Sequence, residues 1–345
     1  MVAHSQPVSC PTVVQCYDVL EKFFRNSGIF DYTEGMYFGD PQVSYEQAQR
    51  NQLNYLLDQV GCGPGVRVLE IGCGAGTLLE MIRRRGGMGV GITISPEQMR
   101  WCRSRGLDAR LIDYVALGRE FDGQFDAVVA NGSIEHFVQP ADALAGQADV
   151  MYTRLFRIMH RVLDPQSPLR RVATTVIHFV RCPSPRDLMN SPRQYVRGSD
   201  NYHWSLLASS FGGWYPTVGQ LQRCANGFFS AARSVDGTED YRLTSEHWLE
   251  RVRATLCSRR GLKILAESWP LIARHPVQFA RMVECMLWAE SWNWQFRGPT
   301  PPTRLLRHTW EYSPHPKRLC KREPGSTVRA PQLSYVANQT SRVEA

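Results

Sequence analysis

Val68-Leu69-Glu70-Ile71-Gly72-Cys73-Gly74-Ala75-Gly76-Thr77 begins as an apolar run, passes one carboxylate and breaks into three glycines at alternate positions. The run from Val66 to Ile71 reads as a buried strand, and Leu78 to Arg85 as an amphipathic helix. A strand, a glycine turn and a helix in that order let the backbone bend tightly and admit a ligand without interference from Cβ atoms. Working outward, Gly89 to Ile94, Ala109 to Ile112, Phe125 to Ala130 and Arg171 to Val180 read as further strands. Between them lie a helix from Pro96 to Arg105 and another that spaces Met151, Leu155, Ile158, Met159 and Val162 at steps of three and four. Continuous apolar strands point to a parallel sheet covered on both faces. The expected fold class is α/β, Rossmann-like and doubly wound.

Two helices are expected ahead of this core, over Val14 to Asn26 and Tyr45 to Val60. The regularity breaks at Pro183. Residues 183–235 are rich in Pro, Gly, Ser and aromatics such as Tyr202, Trp204, Phe211, Trp214 and Tyr215, a composition that suits a cap over a site better than more sheet. Helical segments return between Ser245 and Phe296, and after Pro314 the chain turns polar, basic and proline-rich. The expected organisation is a helical segment at 1–60 covering the cofactor site, a catalytic domain at 61–312 with a cap insertion at about 183–235, and a poorly ordered basic tail at 313–345.

With 345 residues, 43% of them hydrophobic and 21% charged, the chain can bury a large core. No apolar run reaches the roughly 18 residues of a membrane-spanning helix, and Met1 to Val14 lacks the layout of a signal peptide. A cytoplasmic protein is expected. Half of the net charge of +8 sits in the tail, where Lys317, Arg318, Lys321, Arg322, Arg329 and Arg342 face only Glu323 and Glu344. The body is too mildly basic for a nucleic-acid groove, but the tail offers a peripheral contact with an anionic membrane surface. Ten cysteines without a C-x-x-C pair indicate free thiols rather than a metal site or disulfide framework.

Two nucleotide cofactors compete for the glycine turn. A dinucleotide fingerprint needs its third glycine one position later, where Thr77 stands, and an acidic residue after the second strand. That strand instead ends Gly91-Ile92-Thr93-Ile94-Ser95-Pro96-Glu97-Gln98. E-x-G-x-G-x-G is the pattern of class I S-adenosylmethionine (SAM) methyltransferases.

Together with Leu111-Ile112-Asp113-Tyr114, Glu135-His136-Phe137, Gly212-Gly213-Trp214-Tyr215-Pro216 and Asp240-Tyr241-Arg242-Leu243-Thr244, the chain resembles the cyclopropane fatty acid synthase and mycolic acid methyltransferase family from about Tyr17 to Phe296. The resemblance implies a mostly parallel seven-stranded sheet with N-terminal helices and a helical cap. It places SAM against Glu70, Gly72, Gly74 and Gly76, with Thr93 and Gln98 on the ribose in place of the usual carboxylate. Asp113 becomes the adenine partner with Tyr114 nearby, and Tyr32 or Thr33 closes over the amino-acid end.

Methylation of an alkene leaves a carbocation that must lose a proton in a water-poor pocket. In the family a bicarbonate ion is that base, and the resemblance implies Glu135 and Tyr241 as its holders. Two departures stand out. Gly35 replaces a bicarbonate-contacting cysteine, and the family's strand-five histidine falls near Thr174 or Thr175, leaving His178 as the nearest substitute. The implied acceptor is an unsaturated acyl lipid or another hydrophobic small molecule, with the aromatics at 202–215 and Trp288, Trp292 and Trp294 as candidate tunnel walls. A C-, N- or O-methyltransferase of small natural products and a non-catalytic SAM- or lipid-binding module remain open.

Overall fold

The computed structural model describes residues 13–17, 24–25, 27–29 and 31–314. Helix α1 (Tyr45–Gln59) starts where the Ser44 hydroxyl accepts from the Gln47 N–H. Then follow β1 (Arg67–Ile71), α2 (Thr77–Arg84), β2 (Met88–Thr93), α3 (Pro96–Ser104), β3 (Asp108–Leu111) and β4 (Ala127–Asn131). Helix α3 is set by two local devices, Ser95 capping the Gln98 N–H and Pro96 in the first turn. Helix α4 (Ala148–Val162) leads to β5 (Arg171–Phe179), and the cap contributes α5 (Asp200–Phe211). Next come β6 (Phe229–Asp236), α6 (Thr238–Leu256), α7 (Arg259–Arg274), α8 (Pro276–Val283) and β7 (Thr303–Tyr312).

The seven strands lie in the order β3-β2-β1-β4-β5-β7-β6. The first five are parallel, and β7 runs antiparallel between β5 and β6. Apolar residues fill both faces of the sheet, Leu57, Leu79 and Ile82 in one cluster and Phe156, Met159 and Trp310 in the other. Chain direction across the sheet reverses between β1 and β4, and such a switch point opens a crevice at the carboxyl ends of the strands.

The expected organisation needs correction after β5. The stretch 183–235 is not all cap, because β6 begins at Phe229 and belongs to the sheet. This strand closes the edge with most of its side chains exposed, so its Ser, Ala and Arg residues carry no apolar signature. The last strand, β7, was not legible as one. It is buried along most of its length, on both faces, so its side chains do not alternate. Helix α6 also starts at Thr238, ahead of Ser245.

Of the expected helix from Val14 to Asn26, residues 13–17 and 24–25 are helical, and the stretch between them lies outside the described residues. The tail from residue 315 onward lies outside them too. Among the described residues eight cysteines are free thiols, and no helix is long and apolar enough to cross a membrane.

Candidate active site

A cavity of about 470 Å³ opens at the carboxyl ends of β1 to β4, within the range of small-molecule sites. Its walls follow the strand tips in order. Asp113 and Tyr114 stand after β3, Thr93 and Gln98 after β2, the glycine turn after β1, and Asn131 and Ser133 after β4.

The glycines divide their work. A Cβ at Gly72, where φ is +81°, would lie 2.5 Å from Ser133 Cβ, and one at Gly76, where φ is +76°, 2.7 Å from Cys102 Sγ. At Gly74, φ +50°, the nearest atom to such a Cβ is Tyr32 Cδ2 at 3.9 Å. Gly72 and Gly76 therefore serve close packing, and Gly74 leaves room for a ligand. Gly76 does not line the cavity. Its left-handed backbone starts α2 instead, which corrects its assignment as a ligand contact.

The threonine–glutamine couple is a bonded unit. Thr93 Oγ1 donates to Gln98 Oε1 at 2.8 Å, which leaves the amide nitrogen of Gln98 to donate to a ligand hydroxyl. Asp113 is held by the Val115 N–H at 3.1 Å, and burial raises its carboxyl above the usual range. Tyr114 stacks on Phe137 at 4.4 Å, and both rings line the cavity as a flat wall. Glu70 is 3% exposed. Burial and the neighbouring Asp31 charge hold its carboxyl well above its ordinary value, and its Oε2 has no partner among the described residues.

Tyr32 and Thr33 both line the cavity. Asn131 clamps this corner, donating to Thr33 Oγ1 at 3.3 Å while its Oδ1 accepts from Gln52 and from Thr175, each at 2.7 Å. Sequence reasoning missed Asp31, Asn131 and Phe137. Only Phe137 had a signal, as the residue following Glu135-His136.

The catalytic candidates separate. Glu135 sits on a single turn after β4, where its Oε1 accepts from the Ile177 N–H at 2.7 Å. Its Oε2 is buried without a partner among the described residues, and burial pushes the carboxyl up to about 8. The Glu135 charge opposes ionisation of Tyr17, Tyr215 and Tyr241, whose hydroxyls burial already holds protonated. Tyr241 stacks on Phe296 at 4.4 Å and its hydroxyl lies 3.5 Å from the Tyr32 carbonyl. Glu135 and Tyr241 thus share one buried neighbourhood behind the cavity, and neither lines it. His178 does not join it: its Nδ1 lies 2.8 Å from the Val176 carbonyl and its ring meets His308 edge-on at 5.5 Å. It lies on the strand past Ile177, so its side chain projects from the face opposite to that residue's.

Gly35 cannot stand in for the missing cysteine. Its N–H donates to Thr244 Oγ1 at 2.8 Å, and a Cβ there would lie 2.7 Å from the Ala48 Cβ. Thr174 accepts from Trp310 Nε1 at 3.0 Å. The cap aromatics Trp204, Phe211, Trp214 and Tyr215 are buried in the core, Trp288 is exposed, and none of these rings or those of Trp292 and Trp294 lines the cavity.

An open glycine position, a threonine-braced amide donor for a ribose, a flat wall for a base and an unsatisfied buried carboxylate at the far end fit SAM. The fold and this cavity define a SAM-dependent methyltransferase. The chain belongs to the mycolic acid cyclopropane synthetase family, whose profile matches residues 4–257. It is 24% identical over 271 residues to cyclopropane mycolic acid synthase 1 of Mycobacterium tuberculosis, spanning 75% of this chain and 86% of that one. It is 32% identical over 141 residues to a probable fatty acid methyltransferase of the same organism, spanning 39% of this chain and a third (33%) of that relative's length. The crystal structure of mycolic acid cyclopropane synthase CmaA1 complexed with SAH and CTAB superposes with a TM-score of 0.63 at 19% identity, over 87% of this chain and 96% of that one. That likeness speaks for the fold.

Proposed function

We propose that this protein methylates an alkene carbon of an unsaturated acyl lipid, giving a cyclopropane or a methyl-branched chain. The observation that carries the reading is the cavity itself, in which the Gly74 opening and the Thr93–Gln98 pair match the cofactor of the family. The names of the relatives and the CTAB bound to CmaA1 support a long-chain acceptor.

SAM supplies an electrophilic methyl group. The alkene π pair forms the new carbon–carbon bond as the sulfur–carbon bond breaks, and the resulting carbocation returns to neutrality by losing a proton. In this chain we assign that proton to Glu135 Oε2, the buried oxygen with no other described partner. To accept that proton the carboxyl must already be ionised, a form that burial opposes near neutral pH and that the positive charge of the bound sulfonium would favour. Bicarbonate, implied by the resemblance, has lost two of its family contacts, at Gly35 and Thr174, so Glu135 acts without an intermediary. Tyr241 stays protonated, its hydroxyl directed at the Tyr32 carbonyl. The basic residues of the tail place the enzyme at an anionic lipid surface, where its acceptor resides.

Incubation with methyl-labelled SAM and vesicles of unsaturated phospholipid tests the reading. Label is expected in the acyl chain, and upfield ring protons in the NMR spectrum distinguish a cyclopropane from a branched alkene. Binding of S-adenosylhomocysteine without any transfer to lipid rejects the acceptor while leaving the cofactor site intact.

A further inference from the structure

The wall of the cavity nearest Glu70 holds a second carboxylate, Asp31. Its Oδ1 accepts both from the Thr33 N–H at 3.0 Å and from the Thr33 hydroxyl at 2.6 Å, a local turn that fixes the side chain before any ligand arrives. Further hydrogen bonds reach it from the Thr77 side chain and the Tyr32 backbone, and Thr77 opens α2 directly after the glycine turn. Asp31 thus joins the N-terminal segment to the first helix after the motif.

Glu70 lies close enough to Asp31 to feel its charge, and both line the same cavity. The groups acting on Asp31 are Thr33, Thr77 and Tyr32, and those acting on Glu70 are Asp31 and Cys102, none of them a cation. Two carboxylates sharing a buried wall, one with an oxygen lacking any described partner, are costly alone and call for a positive charge from a ligand. Along the strand tips the base wall lies after β3 and the ribose pair after β2. The Asp31–Glu70 wall is therefore at the amino-acid end.

We infer that Asp31 is a binding residue for the α-ammonium of the cofactor, working beside Glu70 to select ligands that carry an amino group. This rests on the cofactor reading above and adds to it the group by which the N-terminal segment recognises the ligand. Charge-assisted hydrogen bonds are the strong ones, and their loss costs about a tenfold to a hundredfold in affinity.

Calorimetric titration of the whole protein with two ligands tests the inference. One is S-adenosylhomocysteine; the other is its deaminated analogue, which keeps the carboxylate, sugar and base. Asp31→Asn is expected to weaken S-adenosylhomocysteine by at least about tenfold while leaving the analogue within about twofold, and Asp31→Glu to recover part of the loss. Equal weakening of both ligands, or of neither, overturns the role of Asp31. Circular dichroism confirms that each variant is folded, so that weakening of both ligands in a folded variant counts against Asp31. Failure of the unmodified protein to bind either ligand overturns the cofactor reading as well.

Discussion

The two halves of the site are built differently. The cofactor half comes largely from short turns at consecutive strand tips, where several partners are near neighbours in sequence: Thr93 with Gln98, Asp113 with Val115, Asp31 with Thr33. The half around Glu135 draws on Tyr17, Tyr215 and Tyr241, residues far apart in sequence that burial brings together. Each half keeps one buried carboxylate oxygen without a described partner, Glu70 Oε2 in the first and Glu135 Oε2 in the second, which costs stability and is retained where a ligand or chemistry needs it.

The sharpest way to break this division is at Gly74. Gly74→Asp places a side chain and a negative charge in the ligand's path, so S-adenosylhomocysteine binding is expected to vanish in calorimetry while the fold persists by circular dichroism. Retained affinity would show that the cavity's opening is not where the cofactor lies.

Glu135→Gln is expected to lower turnover by about a hundredfold or more with S-adenosylhomocysteine affinity nearly unchanged. A parallel loss of affinity would merge the two halves.

Arg307 links the halves. It is 1% exposed on β7, pairs with Glu34 and Asp240 at 2.8 and 2.7 Å, and donates to the Gly35 carbonyl at 2.9 Å. Arg307→Met leaves two carboxylates buried without their cation, at a cost of about 3–5 kcal/mol. Urea unfolding measures this, and a near-neutral outcome would mean the N-terminal loop is held by other contacts.

The smallest effect is a pH-dependent one. In the folded protein burial pushes the Glu135 carboxyl up to about 8, from an ordinary value of 4.5. The folded state therefore holds a proton that the unfolded chain releases between these values, and the stability this group allows below the lower pKa is lost as pH rises through the upper. Glu135→Gln should raise the melting temperature relative to the natural protein at pH 8 and show a smaller difference at pH 5. Identical differences at both would place the carboxyl in a wetter setting.

Legibility follows the same division. Glu70 to Gly76, Thr93 and Gln98 were readable because a strand tip, a glycine turn and a helix cap act within a few residues. Asp31 was hidden because it lies far upstream of the motif it meets, in a segment whose sequence carries no periodicity. His178 was misjudged for the converse reason. Nearness along the strand says nothing about which face a side chain occupies, and a one-residue step reverses it.

By itself, the amino-acid sequence determined the α/β class, the succession of the first five strands and the kind of cofactor, since these depend on apolar runs and local turn chemistry. Tertiary structure alone decided that β6 and β7 complete the sheet, that Gly35 has no room for a side chain, and that Glu135 is isolated from water and from His178. Burial and strand facing depend on what folds over a residue, and that is a property of the packed chain rather than of any short stretch within it.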